Sequence, residues 1–134
     1  MADAVLNQTL YESDRKLITH YQNVSDNSGG TTKIVDVSAL TANDAGSTPA
    51  TVTLNKVWYS VSMTAKVDAV KLMWDADTDA TFLTLEQSGF LDYSSIGGVK
   101  NNQATNYTGD VVIVMPACTA NDSATITCEW LKNY

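Results

Sequence analysis

The feature that most constrains the fold of this chain is an alternation of apolar and polar side chains that recurs along its length. In residues 70–75, VKLMWD, large apolar side chains occupy every second position, and this period places them on one face of a β-strand. Three carboxylates interrupt the pattern in residues 75–79, DADTD, and a second β-rich run follows in residues 81–85, TFLTL. Two such runs around a short polar insert predict a β-hairpin within Val67–Glu86.

The same period predicts further strands and a core. We expect strands at Arg15–Val24, Lys33–Val37, Thr51–Ser62, Phe90–Tyr93, Tyr107–Pro116 and Ser123–Lys132. In Thr51–Ser62 the apolar row shifts by one position at Asn55 and Lys56, which predicts a β-bulge that turns Trp58 away from the face of Val57. The core is expected to contain Val70, Leu72, Trp74, Ile113, Ile126 and Trp130.

Seven or eight strands without a convincing helix predict an all-β chain. The expected architecture is a single β-sandwich, with either a jelly-roll or an immunoglobulin-like strand order, because the alternation does not choose between the two. Ser123–Lys132 is expected to close the sandwich with one wet face. The Gly- and Asn-rich stretch Gln87–Asn106 is expected to be mostly irregular loop.

The chain has 134 residues, a length that fits one domain. Residues 15–134 are assigned to the sandwich. Residues 1–14 lack a periodic apolar face and are interpreted as an extended N-terminal arm, which needs a neighbour to cover its apolar side chains. The candidate interface residues of this arm are Val5, Leu6, Leu10 and Tyr11.

Composition narrows the classes of partner. The formal net charge is −7, which argues against nucleic acid and against an anionic membrane surface, since both need clustered Lys and Arg. The N-terminus lacks the basic and apolar regions of a signal peptide, and no run approaches the roughly 20 apolar residues of a membrane helix. Cys118 and Cys128 are expected to be free thiols, with Cys128 in the core, which fits a reducing cytosol.

No catalytic constellation stands out. His20 is the single histidine, and a histidine without a nucleophile or an orienting acid in a known motif is expected to make a structural hydrogen bond. A partnership between His20 and Cys118 would be accidental. We therefore expect no enzyme activity, no catalytic residues and no cofactor.

Four carboxylates of the hairpin resemble part of a calcium-binding loop. Asp75, Asp77, Asp79 and Glu86 fit positions one, three, five and twelve of the EF-hand pattern. Ala80 stands where that pattern requires glycine, and the flanking segments are strands. We expect a solvated hairpin turn and no metal, with calcium as the alternative.

Several segments resemble a group of small virion proteins of tailed bacteriophages, including marine and cyanobacterial phages, whose members are similar to head decoration, or cement, proteins. These segments are HYQNVSDNSGG at 20–30, KVWYSVSM at 56–63, VKLMWDADTD at 70–79, GVKNN at 98–102 and TGDVVIVM at 108–115. They are structural β-segments, and no binding residue of the group is carried over to this chain.

The resemblance implies a structural protein without a cofactor that binds the lattice of the major capsid protein. It also implies self-association, most readily as a trimer, and a place on the capsid surface after assembly in the bacterial host cytoplasm. Two alternatives stay open. One is a tail or head–tail adaptor component, and the other is a carbohydrate-binding β-sandwich module in which Trp58, Trp74 and Trp130 would form a sugar-stacking face.

Overall fold

The computed structural model describes residues 3–65, 68–76, 78–102 and 107–134, and within these ranges it contains ten β-strands, two short 3-10 turns and no α-helix. The strands are β1 (Ala4–Glu12), β2 (Lys16–Val24), β3 (Gly30–Val35), β4 (Thr51–Ser62), β5 (Val70–Ala76), β6 (Ala80–Leu85), β7 (Gln87–Asp92), β8 (Val99–Lys100), β9 (Tyr107–Met115) and β10 (Ser123–Asn133). The prediction of an all-β chain is confirmed.

The strands form two antiparallel sheets that pack face to face as a sandwich. Along the described chain, the first sheet has the order β1-β2-β10-β4-β7, with β8 pairing with β4 beside β7, and the second has the order β3-β9-β5-β6. Antiparallel pairs join β2 to β10, β3 to β9, β4 to β7 and β5 to β6. This nesting of early strands with late strands is the jelly-roll order, so the topology decides between the two orders that the sequence left open.

The core lies between the inner faces of the two sheets. Trp74 of the second sheet stacks on Phe82 with ring centroids 3.8 Å apart, and Phe82 meets Trp130 of the first sheet edge-on at 6.4 Å. Three aromatic rings therefore connect the sheets across the core. All six predicted core residues are at most 1% exposed, which confirms them: Val70, Leu72, Trp74, Ile113, Ile126 and Trp130.

The two most specific local predictions are also confirmed. β5 and β6 form the predicted hairpin, with Val70 opposite Leu85. β4 has the predicted bounds, and its pairing with β10 skips Asn55, which is the extra residue of a β-bulge. Beyond the bulge, Val57 is fully buried whereas Trp58 is 41% exposed on the opposite face.

The interpretation of residues 87–106 as mostly irregular loop was wrong. Gln87–Asp92 pairs with β4 along its length, and Val99–Lys100 pairs with the same strand on the other side of the bulge. Gly97 and Gly98 have φ angles of 87° and 85° and make the turn between these two strands, a conformation that favours glycine. The glycines of the turn between two short strands were interpreted as part of a long irregular loop. Residues 103–106 lie outside the described residues.

Two further strands differ from their predictions. Ser123–Lys132 was expected to close the sandwich, but β10 lies in the middle of the first sheet, between β2 and β4. Its alternation is as predicted, because only its inner row enters the core. The short strand expected at Lys33–Val37 begins three residues earlier, at Gly30, and ends at Val35.

The described part of the segment interpreted as an arm is extended and belongs to the first sheet. Residues 4–12 form β1, which pairs with β2 of the same chain, with a register shift at Leu10. β1 is an addition to the eight strands of the jelly roll and occupies the edge beyond β2. It contributes no buried residue to the core.

We predict that Trp74→Ala destabilises the fold by about 3–5 kcal/mol, since the side chain is buried and its loss leaves a cavity beside Phe82. The matched control is Trp58→Ala, which removes an exposed ring and should cost about 0.5–1.5 kcal/mol through its stacking on Phe90. Urea unfolding of the three proteins measures both differences. Equal costs for the two substitutions would contradict the assignment of inner and outer faces.

Candidate functional site

Strand β1 is the most solvent-exposed strand of the described part of the chain, with eight of its nine residues exposed. Its candidate interface residues Val5, Leu6, Leu10 and Tyr11 are between 46 and 52% exposed. Leu6 lies opposite Gln22 and faces outward, whereas Val5 lies opposite the buried Asn23 and faces the inner side. Apolar side chains are therefore exposed on both faces of one edge strand.

The free edge of β1 carries no charge that would repel a neighbouring strand. The sequence AVLNQTLYE contains one charged residue, Glu12, and its carboxylate is already paired with Lys132 at 2.7 Å. Natural edge strands are commonly protected by charges or proline against pairing with another chain. β1 lacks both along its exposed length, so its backbone edge is available to a partner strand.

Side chains at both ends of β1 tie it to the sandwich. At the C-terminal end, Glu12 Oε2 accepts hydrogen bonds from Lys132 Nζ and from the Thr41 amide at 2.6 Å. In the middle, Asn7 Nδ2 donates to the Lys33 carbonyl at 3.0 Å. At the N-terminal end, Asp3 Oδ1 accepts from the Asp26 amide at 2.9 Å. The strand is thus held in place although its faces are open.

The pairing of Glu12 with Lys132 makes this anchor sensitive to acid. Burial raises the pKa of Glu12, but the hydrogen bonds from Lys132 and Thr41 and the charge of Lys132 outweigh burial, so the pKa lies below its usual value. The Lys132 side chain is itself fully buried. Protonating Glu12 would leave this buried cation without its counter-charge, which is costly.

A second exposed feature is an aromatic pair on the outer face of the first sheet. Trp58 of β4 and Phe90 of β7 lie opposite each other and stack with centroids 5.2 Å apart and an interplanar angle of 24°. Both are more than 40% exposed. Thr127 lies beside Trp58 in the register, and His20 lies beside Thr127. The pair is a flat apolar platform bordered by polar side chains.

His20 makes the structural hydrogen bond that the sequence predicted. Its Nδ1 lies 2.8 Å from Thr127 Oγ1 on the outer face of the first sheet. Both cysteines are free, as predicted, and Cys128 is buried in the core, as predicted. Cys118 is buried as well, and burial raises the pKa of both thiols. Cys118 belongs to the buried core between the sheets, whereas His20 contacts Thr127 on the outer face, so the pair considered from the sequence, His20 and Cys118, does not form a nucleophile and base.

The hairpin carboxylates do not assemble into the twelve-residue calcium loop. Asp79 Oδ1 accepts a hydrogen bond from the Ala76 amide at 3.1 Å, which closes the turn. Asp75 instead accepts one from Thr108 Oγ1 at 2.8 Å, which joins β5 to β9. Glu86 follows the far end of β6, separated from Asp79 by a six-residue strand, which is about 20 Å long. The inclusion of Glu86 was wrong for this reason; Asp77 lies outside the described residues.

A groove of about 750 Å³ opens at the end of the sandwich near the C-terminal residue Tyr134. Asp14, Arg15, Asp44, Lys132 and Tyr134 are among the residues that line it. Lys132 is engaged by Glu12, and the Tyr134 hydroxyl donates to the Asp14 carbonyl at 2.5 Å. Within the described ranges, no group of three or more His, Cys, Asp and Glu side chains comes together in a manner suited to a metal ion.

Comparison with known proteins gives one distant structural likeness. A cupin superfamily protein from Desulfitobacterium hafniense DCB-2 aligns with all of this chain and 82% of its own, at 11% identity and a TM-score of 0.37. A likeness at this level carries no argument about fold or function. No protein-family model and no curated protein matches the chain. Its described residues include no helix long and apolar enough to cross a membrane.

Sequence reasoning found the exposed residues of β1 but missed the partners that give the two surfaces their geometry. Phe90 was placed in a short strand without a partner, and the contact of Glu12 with Lys132 joins residues 120 positions apart. The alternation in β4 contained the signal that Trp58 faces outward. No local pattern contained the signal that Phe90 or Lys132 would be the contacting residue.

We predict that Glu12→Gln lowers the free energy of unfolding at pH 7 and that this difference shrinks as the pH falls. A carboxyl group whose pKa is lowered by folding contributes stability above its unfolded pKa, about 4.3 for Glu, and loses it as the pH falls through the folded value. Denaturant unfolding of both proteins at pH 7, 5 and 3 measures the difference. The control Glu86→Gln changes an exposed acid far from Lys132 and should leave the free energy of unfolding unchanged at pH 7. A Glu12→Gln difference that stays constant with pH would contradict the claim that the ionised Glu12 stabilises β1.

Proposed function

We propose that this chain is a structural protein of a tailed-phage virion, and that it acts as a decoration protein that binds the outer surface of the head and stabilises it without catalysis. The observation that carries the proposal is the open edge of β1, where exposed apolar side chains and an uncharged backbone edge are held on a rigid sandwich. The segments that resemble small phage virion proteins support a phage particle as the assembly to which this edge binds. The jelly-roll fold by itself does not, since one fold serves many functions.

β1 suits a role in assembly because the jelly roll does not need it for closure. The eight strands from β2 to β10 without β8 complete both sheets, so β1 is free to serve a contact outside the domain. An exposed edge strand recruits a partner by adding to that partner's sheet or accepting a strand from it, with backbone hydrogen bonds supplying affinity and the alternate side chains supplying specificity. The partners in this proposal are a second copy of the chain and the major capsid protein lattice.

The oligomer in this proposal is a trimer, a number that comes from the resemblance to decoration proteins. Capsid lattices offer local threefold points, which a closed trimer matches. In a threefold ring, β1 of one copy contacts a different surface of the next copy, whereas direct pairing of β1 with β1 gives a twofold dimer. The mass of the oligomer therefore reports on the geometry of the contact.

We predict that the isolated protein is a trimer by light scattering and that the double variant Leu6→Lys, Leu10→Lys is a monomer, because two charges on the edge oppose strand pairing. Ile96→Lys is the matched control, since Ile96 is 75% exposed in a loop away from β1, and it should leave the trimer intact. These point changes are preferable to deleting residues 1–14, which would also strip the buried Lys132 of Glu12. A monomeric wild type, or a trimer that survives the double variant, would count against the role of β1.

The stacked pair of Trp58 and Phe90 favours a second candidate, a carbohydrate-binding module. A flat, exposed aromatic platform with hydroxyl groups at its border suits the apolar face of a sugar ring. This candidate uses the outer face of the first sheet, whereas the decoration proposal uses its edge. The two candidate functions therefore place the binding site on different residues.

We predict that the protein binds undecorated heads of its own phage, purified apart from tails, and binds no glycan on an array. The double variant Leu6→Lys, Leu10→Lys should lose head binding in a sedimentation assay, while Trp58→Ala should keep it. Specific glycan binding that disappears in Trp58→Ala would favour the carbohydrate module. Binding to purified tails and not to heads would instead favour a tail or adaptor component.

A further inference from the structure

Three oxygen-bearing side chains meet where β1 begins and β2 ends. Asp3 immediately precedes β1, Asn23 lies near the end of β2, and Asp26 follows in the next turn. Val5 is the partner of Asn23 in the register, so Asp3, two residues before Val5, is its diagonal neighbour on the same inner face. The register thus brings residues from two strands to one corner of the sandwich.

Two hydrogen bonds orient the side chains at this corner. The Asp26 amide donates to Asp3 Oδ1 at 2.9 Å. Asn23 Nδ2 donates to the Tyr21 hydroxyl at 2.9 Å, and the charge of Asp3 raises the Tyr21 pKa after the larger effect of burial. Asp3 therefore lies near both Asp26 and the Tyr21–Asn23 pair.

Each of the three side chains keeps one oxygen without a hydrogen-bond donor. These buried oxygens are Asp3 Oδ2, Asn23 Oδ1 and Asp26 Oδ2. Asn23 is 1% exposed, so its amide oxygen is not satisfied by bulk water. Buried polar atoms without a partner are rare in folded proteins and call for an explanation such as an ion.

Charge adds to this requirement. Hydrogen bonds from Ser28 hold the pKa of Asp26 below its usual value, so its carboxylate is ionised at neutral pH. Asp3 also interacts with this carboxyl group, and two neighbouring carboxyl groups are stabilised by a cation or a shared proton between them. Among the described residues no Lys or Arg forms a salt bridge with Asp3 or Asp26. The positive charge of the N-terminal ammonium also lowers the pKa of Asp26, but its effect is the smallest of the causes.

We propose that Asp3, Asn23 and Asp26 bind a divalent cation, with Ca²⁺ as the best-suited ion. Carboxylate and amide oxygens are the ligands that Ca²⁺ prefers, and its flexible coordination accepts water molecules in the remaining positions, whereas Mg²⁺ demands a stricter octahedron. The site is separate from the hairpin carboxylates Asp75 and Asp79. A bound ion would fasten the N-terminal end of β1 as Lys132 fastens the C-terminal end.

The test is calcium binding by the full-length protein after treatment with chelator. With two carboxylates and one amide, we expect one Ca²⁺ per chain with a dissociation constant on the order of 10⁻⁴–10⁻³ M, the weak end of the range for protein Ca²⁺ sites, because few charged ligands lower the affinity. Isothermal calorimetry and thermal unfolding in up to 10 mM CaCl₂ should both register it, and MgCl₂ at the same concentration should raise the unfolding temperature less.

The double variant Asp3→Asn, Asp26→Asn should lower the affinity at least tenfold and lose the shift in unfolding temperature. In chelator it should still unfold in one cooperative transition, which shows that a loss of Ca²⁺ binding is not a loss of the fold. The matched control Asp75→Asn, Asp79→Asn should bind Ca²⁺ as the wild type does. Absence of binding to the wild type, as expected if the carboxylates share a proton, overturns the proposal, as does a shift that survives the first variant or disappears in the control.

Discussion

The burial of one row of side chains on β10 is the constraint on which the rest of the structure depends. β10 pairs with β2 on one side and with β4 on the other, so its backbone edges are both satisfied. Its inner residues Ile126, Cys128 and Trp130 are at most 1% exposed. The buried Trp130 indole donates to Thr19 Oγ1 at 3.0 Å, which removes the penalty of burying an N–H group. Through Phe82 the same ring reaches the second sheet.

Buried carboxylates on both sheets are each matched by a lysine. Lys16 pairs with Glu129 at 3.2 Å, and Lys33 pairs with Asp110 at 2.9 Å. Asn55, the bulge residue of β4, also donates to Glu129 at 2.7 Å. The bulge therefore has a chemical role, since it supplies the partner that an acid on the outer face of β10 needs. The chain has a net charge of −7. Because these two lysines are paired with buried acids, fewer cations are left to balance the acidic side chains on the rest of the surface.

The extent to which the sequence predicted the structure depended on whether the responsible contacts were local. Alternation is a local property, and it located the hairpin, the bulge at Asn55 and the six core residues. Strand order is not local, because β10 pairs with β2 from the other end of the chain, so the choice of jelly roll had to come from the structure. β1 lacked a pattern for a physical reason: both of its faces are exposed, so neither selects apolar residues. The calcium pattern assumed that residues 75–86 form one continuous loop. In the hairpin, residues 80–85 are an extended strand, and this strand separates Glu86 from Asp79.

The fixed position of β1 has a consequence for the thermodynamics of any contact it makes. A disordered segment loses about 1–2 kcal/mol of conformational entropy per residue when it becomes a strand on a partner, and that loss is subtracted from its affinity. β1 spans nine residues and has already undergone this loss during folding, because β2, Glu12 and Asn7 hold it in place. Its edge is therefore offered to a partner in the bound conformation, and association resembles the docking of two rigid surfaces more than the folding of a tail.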